Sequence, residues 1–507
     1  MSRKLGVLLS YVLMIFEVLS TLLLTPFIIK TLGQAEYGVY KLVVSINAYL
    51  LLLDLGIGNA VIRYIAKYKA DNNEKKEQQF LAVANIFYII IAFIAIIAGV
   101  ILVILFPLVF SKGLTNDEIK LGQTLLGITM INSAVTLGTT TYNNVLIAYE
   151  KFLVSRLASI IQIILRVVFT FIVLIVGWGS IGIVIINLLM TFICRTFFVI
   201  YVTKVIKLKP LFKGINFSFI KEIIVYSSLI LLQMIATQLN STVDQILIGA
   251  LVTSSSIILA VYGVGSQIVQ YYQTIGSAFT GVLMPGVVKM TESGATASDF
   301  EREMIRIGRI IFIILSIIFC AFAVNGQEFV ILWAGNENSQ AYIVTIILMF
   351  AYLFILTESI GTQILWAMNK HKEQSILKII IVLLNIILTI LLIMWNPLIG
   401  ATIGTFISLF LGDIVVMNII FKRKLRISLK NYYLGIFRGI IPCLIISTLI
   451  GFVLKQFLPT GWLWLCLKVF IMLIVYGVTM LLFGANLYEK ELLYSILKKI
   501  NLIKKNK

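Results

Sequence analysis

Long apolar runs separated by short polar connections dominate the chain. Many reach about 20 residues, the length that an α-helix needs to cross a hydrocarbon core about 30 Å thick. The shorter alternating runs of about 10 residues that transmembrane β-strands show are not visible. The pattern predicts an all-α polytopic membrane protein. We expect about fourteen spans, near 7–30, 38–66, 80–106, 120–148, 155–176, 180–202, 218–250, 255–285, 304–325, 341–368, 375–395, 398–420, 434–455 and 461–484.

The first two runs form a hairpin in this prediction. A polar turn at Gly33–Gly38 joins them, and Asp54 lies deep inside the second run, beside Gly56 and Gly58. A carboxylate in an apolar run needs a partner or a wet cavity, because hydrocarbon solvates charge poorly. The role of Asp54 is therefore a central question for the function.

Two halves of the chain resemble each other at a nearly constant spacing. Residues 36–46 (EYGVYKLVVSI) parallel 258–268 (ILAVYGVGSQI), and the segment from Val145 parallels the segment from Ile364. Each half holds six predicted spans and begins on the same side, so we expect parallel repeats about an axis along the membrane normal. The predicted organisation is an N-terminal lobe 1–202, a cytoplasmic linker 203–217, a C-terminal lobe 218–420, two additional helices 421–484 and a basic tail 485–507.

Charge is unevenly placed along this topology. The chain has 41 Lys and Arg against 22 Asp and Glu, a net charge of +19. About 30 of the basic residues fall in connections on one side and about six on the other, so the positive-inside rule predicts cytoplasmic termini. This placement explains the net charge without nucleic acid, and we expect the basic loops to contact anionic lipid head groups.

Catalytic and metal-binding signatures are missing from the sequence. There is no P-loop, GxSxG, HExxH or CxxC pattern, and no connection exceeds about 20 residues, which leaves no room for a soluble catalytic domain. The four cysteines lack metal-ligand spacing. His371 lies in a polar connection, as a solvated histidine would. We therefore predict no enzyme activity, metal or cofactor, and transport would draw on an ion gradient or a partner.

Five carboxylates lie inside or at the ends of predicted spans: Glu17, Asp54, Asp244, Glu358 and Asp413. A charge at the centre of a membrane helix costs about 2.5–3.5 kcal/mol on insertion scales, so each should face an interior or a wet cavity. We treat all five as coupling or gating candidates, with Glu17, Asp54 and Glu358 as candidates to bind H⁺ or Na⁺. A structural ion pair is the alternative for each.

Arginines are the candidates for an anionic ligand. Gln162 and Arg166 are four residues apart, so they share one helix face and could line one cavity wall. A guanidinium offers a permanent charge and a rigid fork of donors to phosphate, which makes Arg166 and Arg63 candidates for a phosphate-linked substrate. Arg195 is nearer a span end, where structure or gating is favoured. It is equivalent to Asp413 in the repeat, which suggests an opposite-charge pair.

Three predicted spans are unusually polar. Residues 132–144 read NSAVTLGTTTYNN, residues 233–245 read QMIATQLNSTVDQ, and the eighth span carries glutamines and tyrosines. Such groups suit a hydrated path that contacts sugars, and we take Gln238 and Gln267 as its candidates. Hydrogen bonding between helices and packing of small residues would explain the same composition.

Several of these segments resemble one family. Residues 31–68, the run LNSTVDQILIGAL at 239–251, VYGVGSQI at 261–268 and AYEKF at 148–152 resemble Wzx-type polysaccharide flippases. These belong to the multidrug/oligosaccharidyl-lipid/polysaccharide (MOP) exporter superfamily. The resemblance covers nearly the whole chain, including the count of six, six and two spans.

The resemblance implies two six-helix lobes around a central cavity in a bacterial plasma membrane. It implies alternating-access transport of polyprenyl-diphosphate-linked oligosaccharides to the outer leaflet, for O-antigen, capsule or teichoic acid synthesis. In relatives the cavity is cationic, for which Arg63, Arg166 and Arg195 are the candidates here. A polysaccharide polymerase and chain-length proteins would be partners. A multidrug or cation antiporter and a lipid II flippase are rival readings, and a membrane-embedded polymerase or a non-transporting scaffold is less favoured.

Overall fold

The fold is helical throughout the part of the chain that can be described. The computed structural model describes residues 2–213, 218–368, 370, 372–491 and 494, and every regular element in these ranges is a helix. This confirms the all-α prediction; His371 lies outside the described residues. The α-helices are α1 Ser2–Leu51, α2 Ile57–Ala70, α3 Glu74–Phe110, α4 Asn116–Ala148, α5 Phe152–Ile175, α6 Gly179–Ile200, α7 Ser218–Leu251, α8 Ser255–Glu292, α9 Ala297–Ala334, α10 Ala341–Thr357, α11 Ser359–Ala367, α12 Lys372–Ile393, α13 Pro397–Leu409, α14 Met417–Lys424, α15 Leu429–Phe437, α16 Ile440–Phe457 and α17 Trp462–Thr479.

Short irregular helices join several of these elements. Two are 3₁₀ turns, at Leu52–Asp54 and Asn336–Asn338. Three are π-helical segments, at Tyr201–Val205, Phe410–Val416 and Met480–Gly484. π-Helical segments are rare and often occur at functional sites.

Membrane-spanning capacity is extensive. Among the described residues, nine helical stretches are long and apolar enough to cross a bilayer, or ten if the bent pair of α10 and α11 forms one span. One stretch, Leu9–Ala70, is 62 residues long and covers the first two predicted spans. A multi-pass membrane protein is therefore confirmed, and the count of fourteen spans stays a prediction.

The first predicted hairpin turn is shorter than expected. Inside α1 only Gly33 departs from helical geometry, with φ 75° and ψ 172°. A positive φ is easily reached by glycine because it has no Cβ. Helical structure resumes at once, so the six-residue turn predicted at Gly33–Gly38 reduces to a break at one residue.

The second predicted span is interrupted before its end. Leu55 and Gly56 both have positive φ, 54° and 71°, and a new helix, α2, starts at Ile57. Two consecutive left-handed residues cannot continue a right-handed helix. At Gly58 an added Cβ would lie 2.9 Å from the amide nitrogen of Asn144, so glycine permits close approach to α4.

The chain divides into two compact units. The first comprises Met1–Gly263 with Ile386–Ala401, and the second comprises Val264–Asn385 with Thr402–Lys507. The core of the first unit is an apolar cluster from α2, α3, α4 and α6. Its largest fully buried members are Ile57, Ile65, Phe80, Leu81 and Tyr88. The lobe boundaries predicted from the repeat stay a prediction.

In the second unit, α9 is the helix around which others gather. It contacts α10, α11, α15, α16 and α17. It begins with a capping box formed by Thr296 and Asp299, and it runs without a break to Ala334. It therefore starts before the predicted ninth span, 304–325, and ends nine residues after it. The connection to the tenth predicted span is correspondingly shorter, because α9 extends through Glu328.

Two buried ion pairs fasten the C-terminal helices to α9. Lys468 Nζ on α17 lies 2.8 Å from a carboxylate oxygen of Glu328, and both side chains are buried. Arg309 pairs with Glu489, with 2.6 Å between Nε and Oε1, and donates to backbone carbonyls at the ends of α15 and of the π-helix 480–484. Nineteen residues separate Arg309 from Glu328, about 29 Å of helix. The two attachments are thus about one hydrocarbon thickness apart.

Removing one partner of the Glu328–Lys468 pair should be costly. Lys468→Met leaves the Glu328 carboxylate buried without its counter-ion, and we expect the free energy of unfolding to fall by about 3–5 kcal/mol. The double variant Glu328→Gln/Lys468→Met removes both charges and should recover most of this loss. Thermal unfolding of the purified protein in detergent measures both effects.

An exposed ion pair of the same unit provides the control. Lys424 lies 2.6 Å from Glu373, but the two side chains are 37% and 49% exposed. Lys424→Ala should change the free energy of unfolding by less than about 1 kcal/mol. A Lys468→Met protein as stable as Lys424→Ala would contradict an energetic role for the buried pair.

Candidate functional site

Asp54 is held at the junction between α1 and α2. Its Oδ1 accepts a hydrogen bond of 2.7 Å from the Tyr88 hydroxyl, and the carboxylate also accepts from the backbone N–H groups of Gly56 and Gly58. Those two amides lie at the start of α2, where N–H groups lack partners within the helix. Asp54 therefore caps the N-terminus of α2, in addition to any other role.

Arg195 is the charged residue that acts on Asp54 from α6. The two groups interact electrostatically, and the Arg195 guanidinium carbon lies 6.0 Å from the centre of the Phe198 ring. The expected pairing of Arg195 with Asp413 would join the two units and stays a prediction. Asp413 forms an ion pair with Lys378, with 2.6 Å between Nζ and Oδ1. Each charge is thus compensated within its own unit.

Further polar side chains lie on α3 and α4. Asn85, one turn before Tyr88 on α3, donates to the Tyr142 hydroxyl at 3.1 Å. The Asn85 Oδ1 and Asn144 Nδ2 atoms are buried without a hydrogen-bond partner among the described residues. Polar groups from several helices therefore lie inside the first unit: Asp54, Tyr88, Arg195, Asn85 and Asn144. Sequence reasoning missed Tyr88, because nothing in the run NIFYIII distinguishes it from an ordinary membrane aromatic.

Arg166 and Gln162 occupy α5, as predicted. Arg166 is half-buried, interacts electrostatically with Tyr40, and has no ion-pair partner among the described residues. Gln162 is on the wall of a cleft of about 390 Å³ between α5 and α6. The cleft is otherwise lined mainly by apolar side chains, including Leu165 and Ile193. Arg63 is exposed on α2. Neither Arg166 nor Arg63 is among the residues that line this cleft, so their predicted contact with a substrate stays a prediction.

Among the described side chains of α7, several polar groups bond to neighbouring residues. Asp244 is buried and accepts hydrogen bonds from the hydroxyls of Tyr262 and Thr389, the latter at 3.1 Å. Gln245 bonds to Ser45 of α1. Gln238 donates to Thr242 one turn further along the same helix, at 3.4 Å. For this helix the contacts favour hydrogen bonding that holds helices together.

The remaining candidates lie apart from one another along the chain. Glu17 is exposed on α1. Gln267 is buried in α8 and donates to the Tyr271 hydroxyl. Glu358 is buried at the junction of α10 and α11, where it accepts hydrogen bonds from Asn418 and Tyr433. These contacts assign partners to the side chains, but they leave the predicted substrate and coupling roles as predictions.

The helical fold with charged residues inside its spans is that of MOP-superfamily transporters. The lipid II flippase MurJ, in an inward closed conformation, matches with a TM-score of 0.72 over 94% of this chain and 98% of its own, at 15% identity. An inward-facing multidrug resistance MATE transporter matches with a TM-score of 0.63, at 15% identity, over 80% of this chain and 95% of its own. A MOP-superfamily transporter from Pyrococcus furiosus matches with a TM-score of 0.52, at 16% identity, over 84% and 98%.

The family follows from the sequence match. The family model described as "Polysaccharide biosynthesis protein" matches residues 6–291, and the chain belongs to that family. No curated protein matches the sequence. The predicted resemblance is confirmed in two respects: the chain belongs to a polysaccharide biosynthesis family, and its fold is similar to that of solved MOP-superfamily transporters.

The capping role of Asp54 can be tested directly. Asp54→Ala removes the acceptor for two amides of α2 and for the Tyr88 hydroxyl, so we expect the free energy of unfolding to fall by about 1–2 kcal/mol. Glu17→Gln, an exposed change on α1, should stay within about 0.5 kcal/mol of the wild type. Thermal unfolding measures both. An Asp54→Ala protein that matches Glu17→Gln would argue against the cap.

Proposed function

We propose that the protein is a flippase that moves a polyprenyl-diphosphate-linked oligosaccharide from the inner to the outer leaflet of a bacterial plasma membrane. The observation that carries the proposal is family membership in polysaccharide biosynthesis combined with a transporter fold. A family that contributes to glycan synthesis with this fold is best explained by movement of the lipid-linked intermediate. Both termini would be cytoplasmic, as the basic loops predict.

The residues of α5 and α6 support an anionic, amphiphilic substrate. Arg166 carries a permanent charge with no carboxylate partner among the described residues, and Gln162 brings a polar group to the wall of an otherwise apolar cleft. A diphosphate matches the fork of guanidinium donors. A polyprenyl chain matches apolar surface. The combination supports an anionic glycolipid.

The rival functions are less well supported. A multidrug or cation antiporter would need acidic groups free to bind a cationic substrate, whereas Asp54 and Asp244 already accept several hydrogen bonds. A lipid II flippase would use the same substrate chemistry, and MurJ has a similar fold. The family's description favours polysaccharide intermediates. A polymerase or other enzyme is disfavoured by the short connections of the sequence and by the transporter fold.

Charge reversal at Arg166 tests the proposal. Arg166→Glu should abolish surface polysaccharide in cells and the flipping of a labelled polyprenyl-diphosphate oligosaccharide in proteoliposomes, because a carboxylate repels the diphosphate. The amount of protein in the membrane should be unchanged. Arg166→Lys, which keeps the charge but loses the fork, should retain part of the activity.

Lys151 offers a matched control at the start of the same helical region. It is exposed and precedes α5, so Lys151→Glu changes the net charge equally without touching the cleft. Transport by Lys151→Glu should remain near the wild-type rate. Normal surface glycan in the Arg166→Glu strain would remove Arg166 from the substrate site. Competition by lipid II for the labelled substrate separates the two kinds of flippase.

A further inference from the structure

The apolar cleft between α5 and α6 opens on an exposed surface of the first unit. Both helices are long and apolar enough to cross a bilayer. Several of the side chains that line the cleft are large, apolar and exposed: Leu157, Ile161, Ile193 and Phe197. Its volume of about 390 Å³ is that of a small-ligand pocket. Because apolar cavities tend to stay dry, a hydrocarbon chain is a better occupant than water.

The length of the cleft matches one leaflet of a bilayer. Its lining runs from Val154 to Leu165 on α5 and from Met190 to Tyr201 on α6. A rise of 1.5 Å per residue makes each stretch about 16 Å long, which is about half of a hydrocarbon core of about 30 Å. The cleft therefore fits a chain that belongs to a single leaflet, whereas a polyprenyl chain of many isoprene units is longer.

Positive charge follows the cleft at the end where Tyr201 lies. The segment 201–213 contains no Asp or Glu, and it contains four lysines: Lys204, Lys207, Lys209 and Lys213. All four are exposed, and none has an ion-pair partner within the described parts of the chain. Tyrosine rings and lysines concentrate where membrane helices reach the lipid head groups. A phosphate group at this level would lie beside these lysines.

Contacts with the rest of the first unit fix this lysine segment, residues 201–213. Leu208 is buried in the apolar core cluster of the unit, and its N–H donates to the Val202 carbonyl at 3.2 Å. The Leu211 N–H donates to the Gln78 carbonyl in α3 at 3.0 Å. Because the backbone between the lysines is already ordered, binding of an anion costs less conformational entropy.

We propose that the α5–α6 cleft binds one acyl chain of an anionic phospholipid, whose phosphate group lies at the lysine segment. The positive-inside rule places these lysines on the cytoplasmic side, so the lipid belongs to the cytoplasmic leaflet. Basic pockets between membrane helices on that side bind anionic head groups. This lipid is a bound component of the protein and not its transported molecule, so the proposal does not depend on the flippase function.

Photo-crosslinking identifies the occupant and its position. The purified full chain in detergent is irradiated with phosphatidylglycerol that carries a diazirine on one acyl chain, or with phosphatidylethanolamine that carries the same chain. We expect phosphatidylglycerol adducts on both walls, within 154–165 and 190–201, at a several-fold higher yield than phosphatidylethanolamine adducts. Equal yields from the two lipids, or adducts spread evenly over the exposed apolar face of α3, overturn the proposal.

Charge reversal at Lys204 tests the head-group contact. A lysine near an anionic lipid raises its affinity about fivefold, so Lys204→Glu should lower the phosphatidylglycerol yield at least that much. The phosphatidylethanolamine yield should change far less. Lys120→Glu is the matched control, because Lys120 is an exposed lysine of α4 on the opposite side in the predicted topology. A Lys204→Glu protein that gives the same yields as Lys120→Glu contradicts the proposal.

Filling the cleft tests the contact with the acyl chain. Ala158 lines the cleft, so the phenyl ring of Ala158→Phe should occupy its space and lower the adducts of both lipids several-fold. Val100→Phe adds a similar ring at an exposed position of α3 and should keep the wild-type yields. Unchanged adducts in Ala158→Phe would refute the chain site. The comparison of the two lipids on the wild type needs no variant, so it stands where a variant fails to fold.

Competition separates the phospholipid from the proposed transport substrate. Unlabelled phosphatidylglycerol should remove the adducts, and polyprenyl diphosphate at the same concentration should remove far fewer. Removal by polyprenyl diphosphate at a lower concentration than by phosphatidylglycerol overturns the proposal, in favour of the substrate chain in the cleft. Absence of flipping in proteoliposomes would refute the flippase function and leave the phosphatidylglycerol adducts unchanged.

Discussion

The cost of an uncompensated charge in hydrocarbon governs much of this structure. Water cannot solvate charged groups inside the membrane, so each must find an ion pair, several hydrogen bonds or a ligand. Lys468 forms an ion pair with Glu328, and Asp413 forms one with Lys378. Asp54 interacts with the Tyr88 hydroxyl, with two backbone amides and electrostatically with Arg195. The positions of the helices therefore depend on these ion pairs and hydrogen bonds as well as on apolar packing.

Backbone irregularity accompanies the buried carboxylates. Asp54 precedes the pair of left-handed residues between the 3₁₀ turn and α2, Glu358 lies at the bend between α10 and α11, and Asp413 lies within a π-helical segment. In a regular helix the backbone N–H groups are already bonded within the helix. A break frees such groups, and at Asp54 the carboxylate accepts from two of them. These carboxylates and the breaks beside them therefore depend on one another.

The sequence was sufficient for the fold class and for the positions of the unusual charges. Apolar length alone predicts membrane helices, and a carboxylate in such a run is visible without a structure. The interaction partners of these charged residues could not be identified from the sequence. Tyr88 is 34 residues from Asp54, and Lys378 is 35 from Asp413. Such distances carry no periodic signal, and tyrosine or lysine at those places fits an ordinary membrane aromatic or a cytoplasmic loop.

Helix ends were the other weak point of sequence reasoning. The ninth span was predicted to end at residue 325, before Glu328, yet α9 continues through Glu328, whose carboxylate is neutralised by Lys468. Polarity predicts a loop only when the polar group needs water. Where another helix supplies the partner, the same residue can lie within a membrane helix, and only the tertiary structure shows which case applies.

Asp54 and Glu358 contrast in how far their carboxylate oxygens are satisfied. The Asp54 carboxylate accepts hydrogen bonds from three donors and interacts electrostatically with Arg195, so it needs no ligand to be stable. In the second unit, Glu358 keeps one oxygen without a donor. A ligand can shift a conformational equilibrium only as far as its affinities for the two states differ. A fully satisfied group has little to gain from an ion, whereas a half-satisfied one can gain a great deal.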